Sequence, residues 1–126
     1  MDGVEGVSAL GAIGQAAAVA ADNLANAGTP GFKAGHAVLE TGPGDQGVRL
    51  AEVRRDPQPG PLEPGTILVR SPEGAVSAVS GLVEGSNVDP ARELVGLMTF
   101  ERAFEANVAA LRAWDETTGL LVNLRV

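Results

Sequence analysis

Cysteine and tyrosine are absent from this 126-residue chain, and histidine occurs once, as His36. Without thiols there is no disulfide framework, no thiolate nucleophile and no cysteine metal site. One imidazole with no carboxylates clustered beside it gives no basis for zinc or triad chemistry. Positive charge is scarce too: nine Lys and Arg against sixteen Asp and Glu leave a net charge of −7 at pH 7. The aromatic residues are Phe32, Phe100, Phe104 and Trp114. A chain with neither a basic stripe nor a stacking platform is not expected to bind nucleic acid.

Catalytic signatures are missing as well. Asp45, Glu52, Asp56, Glu63 and Glu73 are scattered through turn-rich sequence, with no aromatic platform for a sugar between paired acids. The glycine-rich stretch 42–47 lacks the Gly-Lys-Ser/Thr ending of a phosphate loop. The reading is therefore of a non-enzyme with no catalytic, cofactor or metal residues. Long strongly apolar runs are lacking: Val7 to Ala21 is rich in alanine and broken by Ser8, Gly11, Gly14 and Gln15, short of the roughly 20 apolar residues of a membrane span. The preceding residues carry Asp2 and Glu5 and no basic residue, unlike a secretory leader. Neither a cleaved signal peptide nor a direct membrane span is expected.

What the chain does contain falls into three segments, 1–27, 28–88 and 89–126. In the first, Leu10, Ile13, Ala17, Ala20, Leu24 and Ala27 recur at alternating spacings of four and three, the seam of a helix lying along another helix. Gly28 stands where a left-handed C-terminal cap is expected, and Thr29-Pro30-Gly31-Phe32 predicts a type II turn. In the last, Asp89 is placed to cap a helix with Pro90 at its first position. Leu94, Leu97, Phe104, Val108 and Leu111 then continue a second seam. Between them Gly and Pro accumulate and short alternating stretches, 48–53 and 66–70, predict two to four short strands joined by loops. The expected fold is mainly α with a small β insertion: an antiparallel, coiled-coil-like hairpin of N- and C-terminal helices flanking a short-stranded β and loop region. The alanine-rich first helix is too weakly apolar to stand alone, and is expected to complete its burial against the second helix and other chains.

Two motifs sharpen this. Asn23-Leu24-Ala25-Asn26-Ala27-Gly28-Thr29-Pro30-Gly31-Phe32-Lys33 resembles the N-terminal signature of the bacterial flagellar axial proteins, the rod and hook family. Ser86-Asn87-Val88-Asp89, Glu93-Leu94-Val95 and Arg102-Ala103-Phe104-Glu105-Ala106-Asn107 resemble the matching C-terminal signature. With little sequence between its helices, the chain is most similar to the small proximal-rod members.

The resemblance implies a structural subunit of the proximal rod that polymerises through its terminal helices and transmits torque. Its implied partners are itself, other flagellar rod and basal-body proteins, and the flagellar type III export apparatus; its implied location is the periplasmic rod, reached without a cleaved signal. The motif residues Asn23, Asn26, Thr29, Pro30, Gly31, Phe32, Ser86, Asn87, Val88, Asp89, Arg102, Glu105 and Asn107 are candidates for assembly contacts. For those from 23 to 32, a capped helix and its turn is the competing reading, and for Arg102, Glu105 and Asn107 a solvated helix face. A non-polymerising adaptor or binding module of the export and assembly system is the alternative function.

Overall fold

The computed structural model describes residues 3–124; the outermost two positions of the expected first and last segments lie outside them. Helix α1 (Gly3–Ala25) leads into strands β1 (Gly35–Thr41), β2 (Val48–Arg55), β3 (Leu62–Arg70) and β4 (Val76–Glu84), and helix α2 (Pro90–Asn123) follows. β1 and β2 form one antiparallel pair, bulged between Val38 and Leu39, and β3 and β4 form a second.

This overturns the expected fold class. The described residues are about half helical and 27% strand, and the helices are separated by four antiparallel strands in two small sheets rather than flanking a minor insertion. The shortfall has a physical cause. Alternation marks a strand when one of its faces is buried, and most positions of β2, β3 and β4 are exposed on both faces. The strands are held by cross-strand hydrogen bonding, which leaves little trace in side-chain pattern.

Three elements meet along α1. It lies beside α2 in the opposite direction, with Gly3 against Trp114, Gly6 against Leu111 and Asn23 bonded to Glu93. Its flank also receives β1 and β2, where Gly35 sits between Val19 and Val53. Ser8 ties the far end of that sheet down: its Oγ donates to the Glu5 carbonyl at 2.8 Å and accepts from the Val48 amide at 3.2 Å. The buried residues of α1 are Gly6, Ala12, Ala16, Ala20 and Asn23, so of the expected seam only Ala20 is fully buried. Leu10, Ile13, Ala17 and Leu24 are half-buried. A helix squeezed between a second helix and a sheet buries its smallest side chains deepest, because only they allow backbones so close.

On α2 the only buried residue is Glu93. Leu97, Val108 and Leu111 are half-buried, whereas Leu94 and Phe104 are exposed. By length and composition α1 would suffice to cross a membrane, yet here its small-residue stripe is packed against α2 and the first sheet.

The ends of the helices are built locally. Asp89 accepts from the amides of Ala91 and Arg92 at 3.1 and 3.2 Å and so caps α2. α1 ends without the left-handed cap expected at Gly28: the positive-φ glycines are Gly31, Gly44, Gly47 and Gly74. The chain instead unwinds through successive tight turns, Ala27 to Leu24 and Thr29 to Asn26, and closes the Thr29–Phe32 turn with Gly31 at φ 69°.

Candidate functional site

The densest polar structure in the molecule lies where the end of α1, the start of β1 and the approach to α2 meet. Asn23 stands at its centre, 1% exposed. Its Oδ1 accepts from the Gly35 amide at 2.7 Å, and its Nδ2 donates to the Gly35 carbonyl at 2.7 Å and to Glu93 Oε1 at 3.1 Å. One amide side chain thus satisfies both backbone groups of the first residue of β1 and joins α1 to α2. A polar residue this deep is tolerated because its hydrogen-bonding capacity is met.

Asn87 does the equivalent work for the residue before β1 and the loop after β2. Its Oδ1 accepts from the Ala34 amide at 2.6 Å, and its Nδ2 donates to the carbonyls of Gln58 at 2.9 Å and Asp56 at 3.3 Å. Its backbone amide donates to the Phe32 carbonyl at 3.2 Å. The segment after the α1 turn is therefore pinned from above by Asn23 and from the side by Asn87.

Lys33 and Glu84 close the knot. The Lys33 ammonium reaches Glu84 Oε1 at 2.5 Å and the Gln58 carbonyl at 2.7 Å, while the same carboxylate oxygen accepts from the Gly60 amide at 2.9 Å. The hydrogen bond from Lys33 foremost, then that from Gly60, holds the Glu84 carboxyl below its ordinary value. The Glu84 carbonyl accepts from the Gly31 amide at 2.8 Å, so the β3–β4 ribbon is fastened to the α1 turn at its root. Arg55 covers the Phe32 ring, 5.3 Å from its centroid, and donates to the Lys33 carbonyl at 3.0 Å.

The structure brings together Asn23, Gly31, Phe32, Asn87 and, through its cap, Asp89. Ser86 is buried beside them with its Oγ accepting from the Val88 amide at 3.2 Å, and Val88 is half-buried. Asn26 and Thr29 bond to each other at 3.1 Å on the outer surface, with Pro30 exposed between them and the turn's end. Arg102, Glu105 and Asn107 are elsewhere, along α2; Arg102 and Glu105 are exposed and Asn107 bonds the Ala103 carbonyl of its own helix at 2.8 Å. Sequence reasoning missed Glu93 and Glu84 as partners in the knot. The available signal was Asn23 itself, an amide one position before Leu24 at the end of an apolar seam, which demands partners that local capping does not supply.

The side-chain amides of Asn23 and Asn87 are used on groups of the knot itself, and among the described residues no three His, Asp or Glu side chains are grouped to hold a metal ion. Such an arrangement fixes the relative placement of segments far apart in the chain.

The segments it joins are those that comparison picks out. Residues 6–33 match the family described as flagella basal body rod protein, and residues 79–124 match the family described as flagellar basal body rod FlgEFG protein C-terminal. The flagellar basal-body rod protein FlgC of Yersinia enterocolitica is 34% identical over 115 residues, covering 82% of this chain and 81% of the relative. FlgC of Bacillus subtilis (strain 168) is 32% identical over 82 residues, covering 65% of this chain and 49% of that protein. Two matched segments clasped by Asn23 and Asn87, and a relative aligned over most of both chains, place this chain in the flagellar basal-body rod protein family, where it is most like FlgC.

Proposed function

We propose that the protein is a polymerising subunit of the flagellar proximal rod, with α1 and α2 as the packed axial core and residues 28–88 carried outside it. The observation that supports this most is α2, a 34-residue helix whose only buried residue is Glu93. Leu94, Val95, Met98, Trp114, Leu120, Leu121 and Val122 all stand exposed along it. Apolar area on that scale is stable in water when neighbouring subunits cover it. A helix covered on all sides by copies of itself also makes a stiff tube, and stiffness is what torque transmission between basal body and distal rod requires.

Membership of the rod family supports other flagellar basal-body proteins as partners; the reading adds further copies of this chain and the type III export apparatus, which would deliver it to the periplasm without signal cleavage. Sedimentation velocity at low salt over a wide concentration range tests the reading. Growing oligomers in the wild type, suppressed by Leu121→Asp through burial of an unpaired carboxylate, are expected. A single small species of fixed stoichiometry at every concentration would instead mark a non-polymerising adaptor.

A further inference from the structure

Two features of the molecule stand open to solvent. The first is a cleft of about 380 Å³ between α1, β1 and α2. Ala16, Val19, Ala20 and Phe100 give it apolar walls, His36 and Arg92 lie at its exposed rim, and Glu93 contributes a carboxylate that is only 9% exposed. Among the described residues that carboxylate has one side-chain partner, the neutral Asn23 amide, and no cation within ion-pair distance. The first turn of α2 favours negative charge, but a carboxylate stripped of most of its water is compensated fully only by a cation.

The second is the β3–β4 ribbon. It is rooted in the clasp through Glu84 and rises from there over nine paired residues, about 30 Å at the usual rise per residue. The register puts Leu62, Leu68 and Arg70 on one face with Val76 and Leu82. Leu68 is 72% exposed. At the tip, Ser71 and Gly74 close a tight turn, with the Gly74 amide donating to the Ser71 carbonyl at 2.9 Å, so Arg70 and Glu73 are presented together. A lone two-stranded ribbon is marginally stable in water.

We propose that the ribbon tip of one copy docks into the α1–β1–α2 cleft of the next, Arg70 pairing with Glu93, Glu73 with Arg92, and Leu68 and Val76 covering the apolar walls. The occupant is argued from complementarity. The cleft offers a buried acid beneath an exposed base, and the tip offers a base and an acid three residues apart beside exposed apolar side chains. No residue of the ribbon lines the cleft of its own chain, and Leu68, Arg70 and Glu73 stand exposed, so a second molecule supplies the tip. Ribbon and cleft are different surfaces, so the contact is heterologous and repeats into a ring or a helix. The proposal rests on the polymerising reading and adds to it a contact made by the ribbon tip at the start of α2.

The absence of cysteine makes the test clean. Chains carrying Ala75→Cys, at the exposed ribbon tip, and chains carrying Thr99→Cys, a substitution in the cleft wall, are mixed, allowed to associate and treated with a short bis-maleimide; Glu116→Cys, far along α2, replaces Thr99→Cys as control. Cross-linking of 75 to 99 and not to 116 is expected. In parallel, Arg70→Ala and Glu93→Gln, which preserves the acceptor for Asn23, should each weaken association about fivefold, and the double variant no further, as coupled partners require. Arg70→Lys should associate like the wild type. Additive losses, or equal cross-linking to 116, would overturn the ribbon contact while leaving polymerisation in place. A wild type that stays monomeric at every concentration would overturn both.

Discussion

Asn23 and Glu84 carry the most consequence per atom. Replacing Asn23 with Ala leaves the Gly35 amide and carbonyl without side-chain partners and removes the bridge to Glu93. With unsatisfied buried groups costing about 1–3 kcal/mol each, urea denaturation should show a loss of at least about 2 kcal/mol. Asn23→Asp is expected to be worse near neutral pH, because it sets a carboxylate oxygen against both the Gly35 carbonyl and Glu93. Glu84 gives a pH signature of defined sign. Its folded carboxyl titrates below the unfolded value of 4.5, chiefly through Lys33 and then Gly60. A depressed carboxyl contributes stability above its unfolded pKa and loses it as pH falls through the folded pKa. The melting temperature of the wild type should therefore exceed that of Glu84→Gln at pH 7, with the gap narrowing once pH drops below 4.5. A constant gap across that window would remove the Lys33 pair from the account.

For the elements, close approach matters more than apolar pattern. A methyl group on Gly6 would lie 2.5 Å from Leu111 Cδ2, whereas nothing lies within 4 Å of the corresponding positions on Gly11 and Gly14. Glycine is the poorer helix former by roughly 1 kcal/mol, so Gly11→Ala should raise the melting temperature of the isolated chain. Gly6→Ala should lower it, and the added Leu111→Ala should restore part of the loss by reopening the space. If the three variants melted alike, the contact between α1 and α2 at this level would not exist. The same crowding explains why the apolar spacing of α1 pointed one stripe away from its true interior. Periodicity identifies the largest apolar side chains, and this helix buries its smallest.

In the whole molecule, stability is distributed unevenly. The clasp region around Asn23, Ala34 and Gly35 is buried and fully bonded, while the β3–β4 ribbon and the end of α2 are exposed. Hydrogen exchange on dilute protein should accordingly be slowest for the amides of residues 16–25 and 34–35, and fastest in 62–84 and 115–124, since local opening follows packing. Slow exchange in the ribbon at a concentration where the chain is monomeric would contradict its unsupported placement. On assembly, exchange in 115–124 should fall as subunits cover the far half of α2.

Much of the arrangement was legible without coordinates. Asp89-Pro90, Thr29-Pro30-Gly31-Phe32 and the two helical periods are local chemistry, settled by φ preferences, a missing amide hydrogen and the spacing of apolar residues. The paired motifs carried the family. Only the tertiary structure decided that the middle of the chain is four paired strands rather than a small insertion, that α1 buries Gly6, Ala12 and Ala16, and that Asn23 meets Glu93 across seventy positions of sequence. Those outcomes depend on which surfaces meet in space: strand pairing is written in backbone groups common to every residue, and the partner of a buried amide is set by packing at a distance that no local pattern encodes.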